Sequence, residues 1–237
     1  TVNDAAFDSS SATIAATVIS NIGGKTSGAV TVSEAVKIVG SATQLTNTLV
    51  SGTSTVTAST ALVTVNDAAF DSSSATIAAT VLSGIGGKTS GDVTLENKIR
   101  LEGTQSEVDA ALNGDSSVVA SQTDTEAKVT TAVNVSQGDA IGKVTKIKGI
   151  FTGGVKDSLS NLVTGGSSAT KLDTITGDDS DVNITIDDDA FSSSSATVAA
   201  THLSAVGATT TGTVTVTKAV KIVGSATQLT NTLVSGA

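Results

Sequence analysis

The chain has 237 residues, a formal net charge of −9 and an isoelectric point of about 4.4. Because phosphate binding needs a basic surface, this charge argues against a nucleic-acid partner. The chain has no Cys, Pro, Met, Trp or Tyr, so disulfides and thiolate metal sites are excluded. The sequence has no apolar run long enough for a membrane span and no signal-peptide pattern, and its start at Thr1 indicates a mature product or a piece of a longer protein.

Blocks of sequence recur along the chain. Residues 1–18 (TVNDAAFDSSSATIAATV) are repeated letter for letter at 64–81, and residues 35–52 (AVKIVGSATQLTNTLVSG) at 219–236. Residues 185–201 are a diverged copy of the first block. The period of about 60 residues predicts a single elongated solenoid over residues 1–237. Its long repeats are expected at 1–63, 64–129 and 183–237, with a degenerate repeat at 130–182.

Each long repeat divides into units of about 30 residues that open on a V-T-V strand. Alternating Val and Thr is the pattern of a strand with one buried face. The stretch AVNVS in the degenerate region also has this pattern, with Val133 and Val135 as its apolar pair. The other predicted strand centres are Val30 and Val32, Val63 and Val65, Val93 and Leu95, Ile184 and Ile186, and Val214 and Val216.

The second half of each unit has a helical pattern. In SATIAATVISNIGG, the spacing of Ala15, Ile19 and Ile22 predicts a buried helix face, with Thr13 or Ser11 as the N-cap. In GTQSEVDAALNG, the S/T-x-x-E pattern predicts a capping box before a second helix.

Strand-helix units repeated at a fixed spacing predict parallel strands joined by crossovers. The fold class expected is therefore a repeat solenoid of parallel β-strands and short helices or turns. An all-β solenoid, that is a parallel β-helix, is the alternative, because Thr, Ser and Val are abundant and favour strands.

The acidic run GDDSDVNITIDDD is the candidate metal site. Calcium binds carboxylate and carbonyl oxygens on flexible loops, and calcium is the only cofactor considered. A solvated acidic turn is the competing interpretation, since the run has no EF-hand pattern. Asp4 with Asp8, and Asp67 with Asp71, form a second acidic set at equivalent repeat positions. The candidate calcium ligands are Asp178, Asp179, Asp181, Asp187, Asp188 and Asp189.

The sequence predicts no catalytic residue, and the chain is not expected to be an enzyme. The single histidine, His202, aligns with Val18 and Val81 in the other copies, which predicts a partly exposed helix flank. The serine runs have no nucleophile-elbow pattern and no neighbouring base. An enzyme on a parallel β-helix would need a carboxylate cluster that the repeats do not offer outside the acidic run.

Two sets of repeat-equivalent residues give further expectations. Phe7, Phe70 and Phe191 are expected to be buried corner residues. A flat outward row of threonines would suit an adhesin arm that recognises a glycan or another surface. The threonines expected in this row are Thr31, Thr64, Thr94, Thr185 and Thr215.

The recurring motifs V-T-V-x-x-A, S-A-T and I-G-G-K-T-S-G-x-V-T-V, over residues 1–115 and 183–237, resemble a known group of repeats. They are similar to those of the tandem-repeat giant cell-surface proteins of marine picocyanobacteria, of the swimming-motility surface protein type. The resemblance implies an extracellular or cell-surface location and a structural or adhesive role without catalysis. It implies no functional residue. Expected partners are further copies of the chain, in an oligomer or filament, and cell-surface polysaccharide.

Overall fold

The computed structural model describes residues 1–8, 13–71, 76–114, 118–164, 168–192 and 197–234. They form two compact units. Unit 1 comprises residues 1–127 and 144–148, and unit 2 comprises residues 128–143 and 149–237. The prediction of one elongated solenoid concerns the arrangement of these units, and it stays a prediction.

Short strands and short helices alternate along the described chain. The strands are β1 (Ile14–Ala15), β2 (Val30–Thr31), β3 (Lys37–Gly40), β4 (Val56–Thr57), β5 (Leu62–Val65), β6 (Ile77–Ala78), β7 (Val93–Leu95), β8 (Arg100–Gly103), β9 (Val118–Ala120), β10 (Thr125–Val129), β11 (Ile147–Phe151), β12 (Val155–Asp157), β13 (Ile184–Ile186), β14 (Val198–Ala199), β15 (Val214–Val216) and β16 (Ile222–Val223). The α-helices are α1 (Ala16–Gly23), α2 (Ala42–Leu45), α3 (Ala79–Gly86), α4 (Gln105–Asn113), α5 (Val135–Gly142), α6 (Leu159–Leu162), α7 (Asp173–Asp178), α8 (Ala200–Gly207) and α9 (Ala226–Leu233). A π-helical segment (Thr46–Val50) continues α2, and a 3₁₀ turn (Thr170–Leu172) precedes α7.

The strands of unit 1 pair in parallel with strands one turn of chain later. The largest sheet has the order β1-β3-β5-β7-β9, and β2 pairs with β4 and β6 with β8. Paired residues lie from 24 residues apart, as in Ile14↔Ile38, to 30 residues apart, as in Val63↔Val93. We call each such turn of chain a coil. This spacing is close to the predicted unit of about 30 residues.

Unit 2 repeats the arrangement. Its sheets have the orders β12-β13-β15 and β14-β16, and both are parallel. Helices of successive coils pack on one another in each unit. In unit 1, α1 contacts the π-helical segment, which contacts α3, and α3 contacts α4. In unit 2, α5 contacts α7 and α8 contacts α9.

The described chain therefore combines parallel strands in several sheets with short helices, as predicted. Five predicted strand centres lie in β2, β5, β7, β13 and β15, although Val32 forms only an isolated bridge with Val2. The prediction for AVNVS was half wrong: Val133 bridges Val155, but Val135 begins α5. Asn134 and Gln137 form a capping box there, which fixes the start of the helix.

The helix of the first block differs in detail from the prediction. Its N-cap is Ala15, without a side-chain cap, so Thr13 was wrong and Ser11 lies outside the described residues. The buried face is Ala16, Ile19 and Gly23, whereas Ala15 and Ile22 are exposed. Ala15 is used instead in β1, which leads directly into the helix. An all-β solenoid would use the segments after each S-A-T motif as strands. In three of them a two-residue strand (β1, β6 or β14) leads directly into a helix, whereas Ser41 and Ser225 of two other motifs cap helices.

The predicted capping box was confirmed. Thr104 accepts a hydrogen bond from the Glu107 backbone N–H, and the Glu107 carboxylate accepts one from the Thr104 N–H at 2.8 Å. The hydrogen bond from the Thr104 backbone N–H, followed by an interaction of the carboxylate with the Thr104 side chain, lowers the pKa of Glu107.

Close packing of the coils depends on glycine at one repeated position. A Cβ atom added to Gly40 would lie 2.8 Å from the Cβ of Ala16, and one added to Gly224 would lie 2.9 Å from that of Ala200. Real carbon atoms do not approach this closely. The chain at the end of a strand can therefore cross the start of the preceding helix only where the crossing residue is a glycine.

Candidate functional site

The first half of the acidic run binds backbone N–H groups in unit 2. The Asp178 carboxylate accepts a hydrogen bond from Gly149 N–H at 2.8 Å, and the Asp179 carboxylate accepts one from Phe151 N–H at 2.6 Å. Both carboxylates are half-buried. They hold the chain at the end of α7 against β11, which is a structural role.

Asp187 links three successive coils of unit 2. Its carboxylate lies 3.2 Å from Lys156 Nζ and 3.4 Å from Lys218 Nζ, and it accepts a hydrogen bond from Thr217 Oγ1 at 3.1 Å. Lys156 and then Thr217 lower the pKa of Asp187, and Asp187 raises the pKa of Lys218. Asp189, which is fully exposed, adds a longer contact to Lys218 at 3.6 Å.

Another carboxylate of the run, that of Asp188, caps a helix of the preceding coil, and this arrangement recurs. In each case an Asp at or just after the end of a strand accepts a hydrogen bond from the first N–H of a helix 22 to 29 residues earlier in the chain. Such first-turn N–H groups have no partner within their own helix. The pairs are Asp67 with Ala42 (2.6 Å), Asp157 with Val135 (3.1 Å) and Asp188 with Leu159 (2.8 Å).

The acidic run is thus divided among three separate tasks. Within the ranges that the structure covers, no group of three or more His, Cys, Asp or Glu side chains is arranged to hold a metal ion. Asp181 is exposed. In the second acidic set, Asp67 is a helix cap and Asp4 is exposed. Calcium binding stays a prediction, and it would compete with the contacts described above.

A polar pocket of about 570 Å³ in unit 2 lies between α5, α6 and α7. Its charged groups bind one another. Lys143 Nζ lies 2.5 Å from Asp139, which also accepts a hydrogen bond from Thr174 Oγ1 at 2.9 Å. The contact with Lys143, and to a lesser extent that with Thr174, lowers the pKa of Asp139. Asn161 donates to the Asp157 carboxylate at 2.7 Å.

His202 lies on α8, where it is partly exposed, as predicted. Val81 occupies the equivalent place on α3 and is also half-buried. The serine runs at 9–11, 72–74 and 192–195 lie outside the described residues, except for Ser192.

The prediction of one outward threonine row was wrong at one position, and the five threonines are divided among different sheets. Thr64, on β5 between β3 and β7, is buried. Thr31 pairs with Thr57, Thr94 pairs with Thr64, and Thr185 pairs with Thr215. Thr31 and Thr215 are exposed, whereas Thr94 and Thr185 are half-buried.

The phenylalanine prediction was also wrong. Phe7 and Phe70 are half-buried, and Phe191 has an exposed fraction of 43 %. Each ring instead lies under a cation from the next coil, with Lys37 above Phe7 (5.2 Å), Arg100 above Phe70 (4.0 Å) and Lys221 above Phe191 (5.5 Å). Cation–π contacts of this kind stabilise partly exposed rings. The sequence signal was the basic residue that recurs 30 residues after each Phe.

The chain matches no family model, no curated protein and no solved structure. None of the helices in the described ranges combines the length and apolarity that crossing a bilayer requires.

The identical blocks 35–52 and 219–236 have different surroundings. In the first copy Ile38, Leu45 and Leu49 are buried, because β5 and α3 cover them. In the second copy α9 has no buried residue, and Leu233, the counterpart of Leu49, has an exposed fraction of 61 %. An apolar face that the fold buries once is therefore uncovered in unit 2. This face is the candidate functional site.

Proposed function

We propose that this chain is a non-catalytic structural repeat segment of an extracellular filament, sheath or giant cell-surface protein. In this proposal its coils form a solenoid, and copies of the chain self-associate. The repeat motifs that resemble those of giant cell-surface proteins favour the same role and location.

The observation that carries the proposal is the uncovered apolar face of residues 219–234. Residues 219–234 have the same apolar side chains as residues 35–50, which β5 and α3 cover. Exposed apolar faces of this kind mark association surfaces.

The adhesin alternative has weaker support. It needs a continuous outward threonine row, and Thr64 is buried. A glycan-binding arm would also need groups that are not already used within the protein. The polar pocket of unit 2 offers Asp139, Lys143 and Asn161, which bind neighbouring side chains.

Negative-stain electron microscopy of the purified chain, over a range of concentrations, tests the proposal. Uniform filaments or sheets that grow with concentration are expected. The same preparation with calcium and after chelation separates the role of the acidic run from that of the apolar face. Single particles at every concentration, combined with retention on a glycan array, would favour the adhesin arm instead.

A further inference from the structure

This inference rests on the proposed self-association and specifies its contact. We propose that the uncovered face of β16 and α9 binds the first coil of a second copy, so that the parallel pairing continues in register from chain to chain. We call the face formed by residues 221–234 the C-terminal face. The N-terminal face comprises residues 1–4 and the side of α1 that includes Val18 and Ile22.

The protein contains the complete template of this contact within unit 1. Strand β3 pairs with β5 in parallel, with Val39 opposite Thr64 and Gly40 opposite Val65. The pairing continues through Asn66 N–H, which donates to Gly40 O at 3.0 Å. The Asp67 carboxylate then caps α2 at Ala42 N–H.

Both segments that form this template contact recur elsewhere in the chain with identical sequences. Residues 37–52 recur as 221–236, and residues 64–81 recur as 1–18. The template therefore places Thr1 of a second copy opposite Val223 and Val2 opposite Gly224. By the same correspondence, Asp4 of that copy caps Ala226 N–H at the start of α9.

The backbone edges that this pairing needs are available. In the described sheets, β16 pairs with β14 on one side, as β3 pairs with β1. Its other edge corresponds to the edge of β3 that binds β5. On the N-terminal face, Val2 bridges Val32 in the same way as Val65 pairs with Leu95. The other backbone edge of Val2 therefore corresponds to the edge of β5 that binds β3. Strand addition at such edges is a common mode of association.

The helices are complementary in the same way. In the template α3 packs on the π-helical segment, and Ile85 is completely buried. Its counterpart Ile22 on α1 has an exposed fraction of 44 %. Seven large hydrophobic side chains are exposed in the described part of the chain, and five of them lie on the two faces: Val18, Ile22, Val223, Leu233 and Val234.

Two differences from the template weaken the docked contact. The identity between the two copies covers residues 64–81, and the docked residues 1–18 do not include the part of the template, residues 53–63, that supplies β4 and the first half of β5. Asn21 stands where α3 has Gly84, whose added Cβ would lie 3.6 Å from Val50. The association is therefore weaker than the internal packing and depends on concentration.

The contact joins two different surfaces of the same protein. Each docked copy presents a new C-terminal face, so the assembly grows by head-to-tail addition of further copies. Parallel head-to-tail growth distinguishes this mode from a two-fold dimer, in which a surface would pair with itself.

Sedimentation velocity with three variants of equal charge tests the contact. Leu233→Asp disrupts the C-terminal face, Val18→Asp disrupts the N-terminal face, and Val119→Asp is the control. Val119 is exposed to 44 % and lies on β9, outside both faces. All three positions are exposed, so far-UV circular dichroism should show unchanged folding.

The wild type and Val119→Asp should sediment as species that grow with concentration, whereas each face variant alone should stay monomeric. An equal mixture of the two face variants should form a dimer and nothing larger, because one intact face of each kind remains. If the wild type grows but both face variants grow equally, self-association survives and this contact is wrong. A wild type that stays monomeric at all concentrations overturns both this contact and the proposed self-association.

Discussion

The two copies of one block allow the same substitution to be compared in two surroundings. Leu45 is completely buried under the next coil, and its counterpart Leu229 in α9 is only half-buried. Replacing a buried Leu by Ala typically costs about 2–5 kcal/mol, which includes the cavity that remains. For Leu45→Ala we expect a loss of about 3 kcal/mol in the free energy of unfolding. For Leu229→Ala we expect about 1 kcal/mol, because less apolar surface is removed from water.

Urea unfolding followed by far-UV circular dichroism measures both values. Fluorescence is unsuitable, since the chain has no Trp or Tyr. Each variant is compared with the wild type in dilute solution, where copies do not associate. The cost of Leu229→Ala should rise at concentrations at which the chain assembles. Equal costs for the two variants in dilute solution would refute the conclusion that residues 219–234 are uncovered.

Three further predictions concern coil packing, charge and calcium. Gly40→Ala should lower the free energy of unfolding by about 1–3 kcal/mol through overpacking, because the new methyl group would meet Ala16. The control Gly52→Ala should cost less in the same urea assay, since no described atom lies within 4 Å of its added Cβ. The lowered pKa of Asp187 means that its stabilising contribution is present above the ordinary Asp pKa of about 3.9 and is lost as pH falls through the folded-state value. Asp187→Asn should therefore lower the melting temperature at pH 7 and converge with the wild type in strong acid, while the control Asp181→Asn should match the wild type throughout; a constant deficit across pH would contradict an ionic role. The predicted calcium site is tested by comparing the melting temperature in about 1 mM calcium, the affinity range of weak extracellular sites, with that of a chelated sample. A rise of several degrees is expected if the acidic run binds the ion, and an unchanged melting temperature would favour the solvated acidic turn.

The sequence allowed the strands and the spacing of the coils to be predicted because both depend on local patterns. Alternation of Val and Thr placed β5, β7 and β13 correctly, and the pattern of Thr104 and Glu107 placed the start of α4. The start of α1 was predicted wrongly, because its Ala15 N-cap has no side-chain signature.

Contacts between coils were beyond local patterns. The Asp67 cap depends on a helix 25 residues earlier, and the ring of Phe70 depends on Arg100, so both require the register of the parallel strands. The identical blocks make the same point. Residues 46–50 are π-helical under a covering coil, whereas the last turn of α9 is an ordinary α-helix. Since the letters are the same, this difference comes from the surroundings alone.

Disulfide cross-linking between copies tests the central claim most directly, because the chain has no cysteine of its own. Chains with Thr1→Cys are mixed with chains with Val223→Cys and oxidised mildly. Neighbouring strands lie about 4.8 Å apart, within the range that a disulfide bridges. The account predicts that this mixture forms cross-linked dimers much faster than either chain alone or than a mixture of Thr1→Cys with Val119→Cys. Equal rates in all of these samples would contradict a stack of parallel coils that continues in register from one copy to the next.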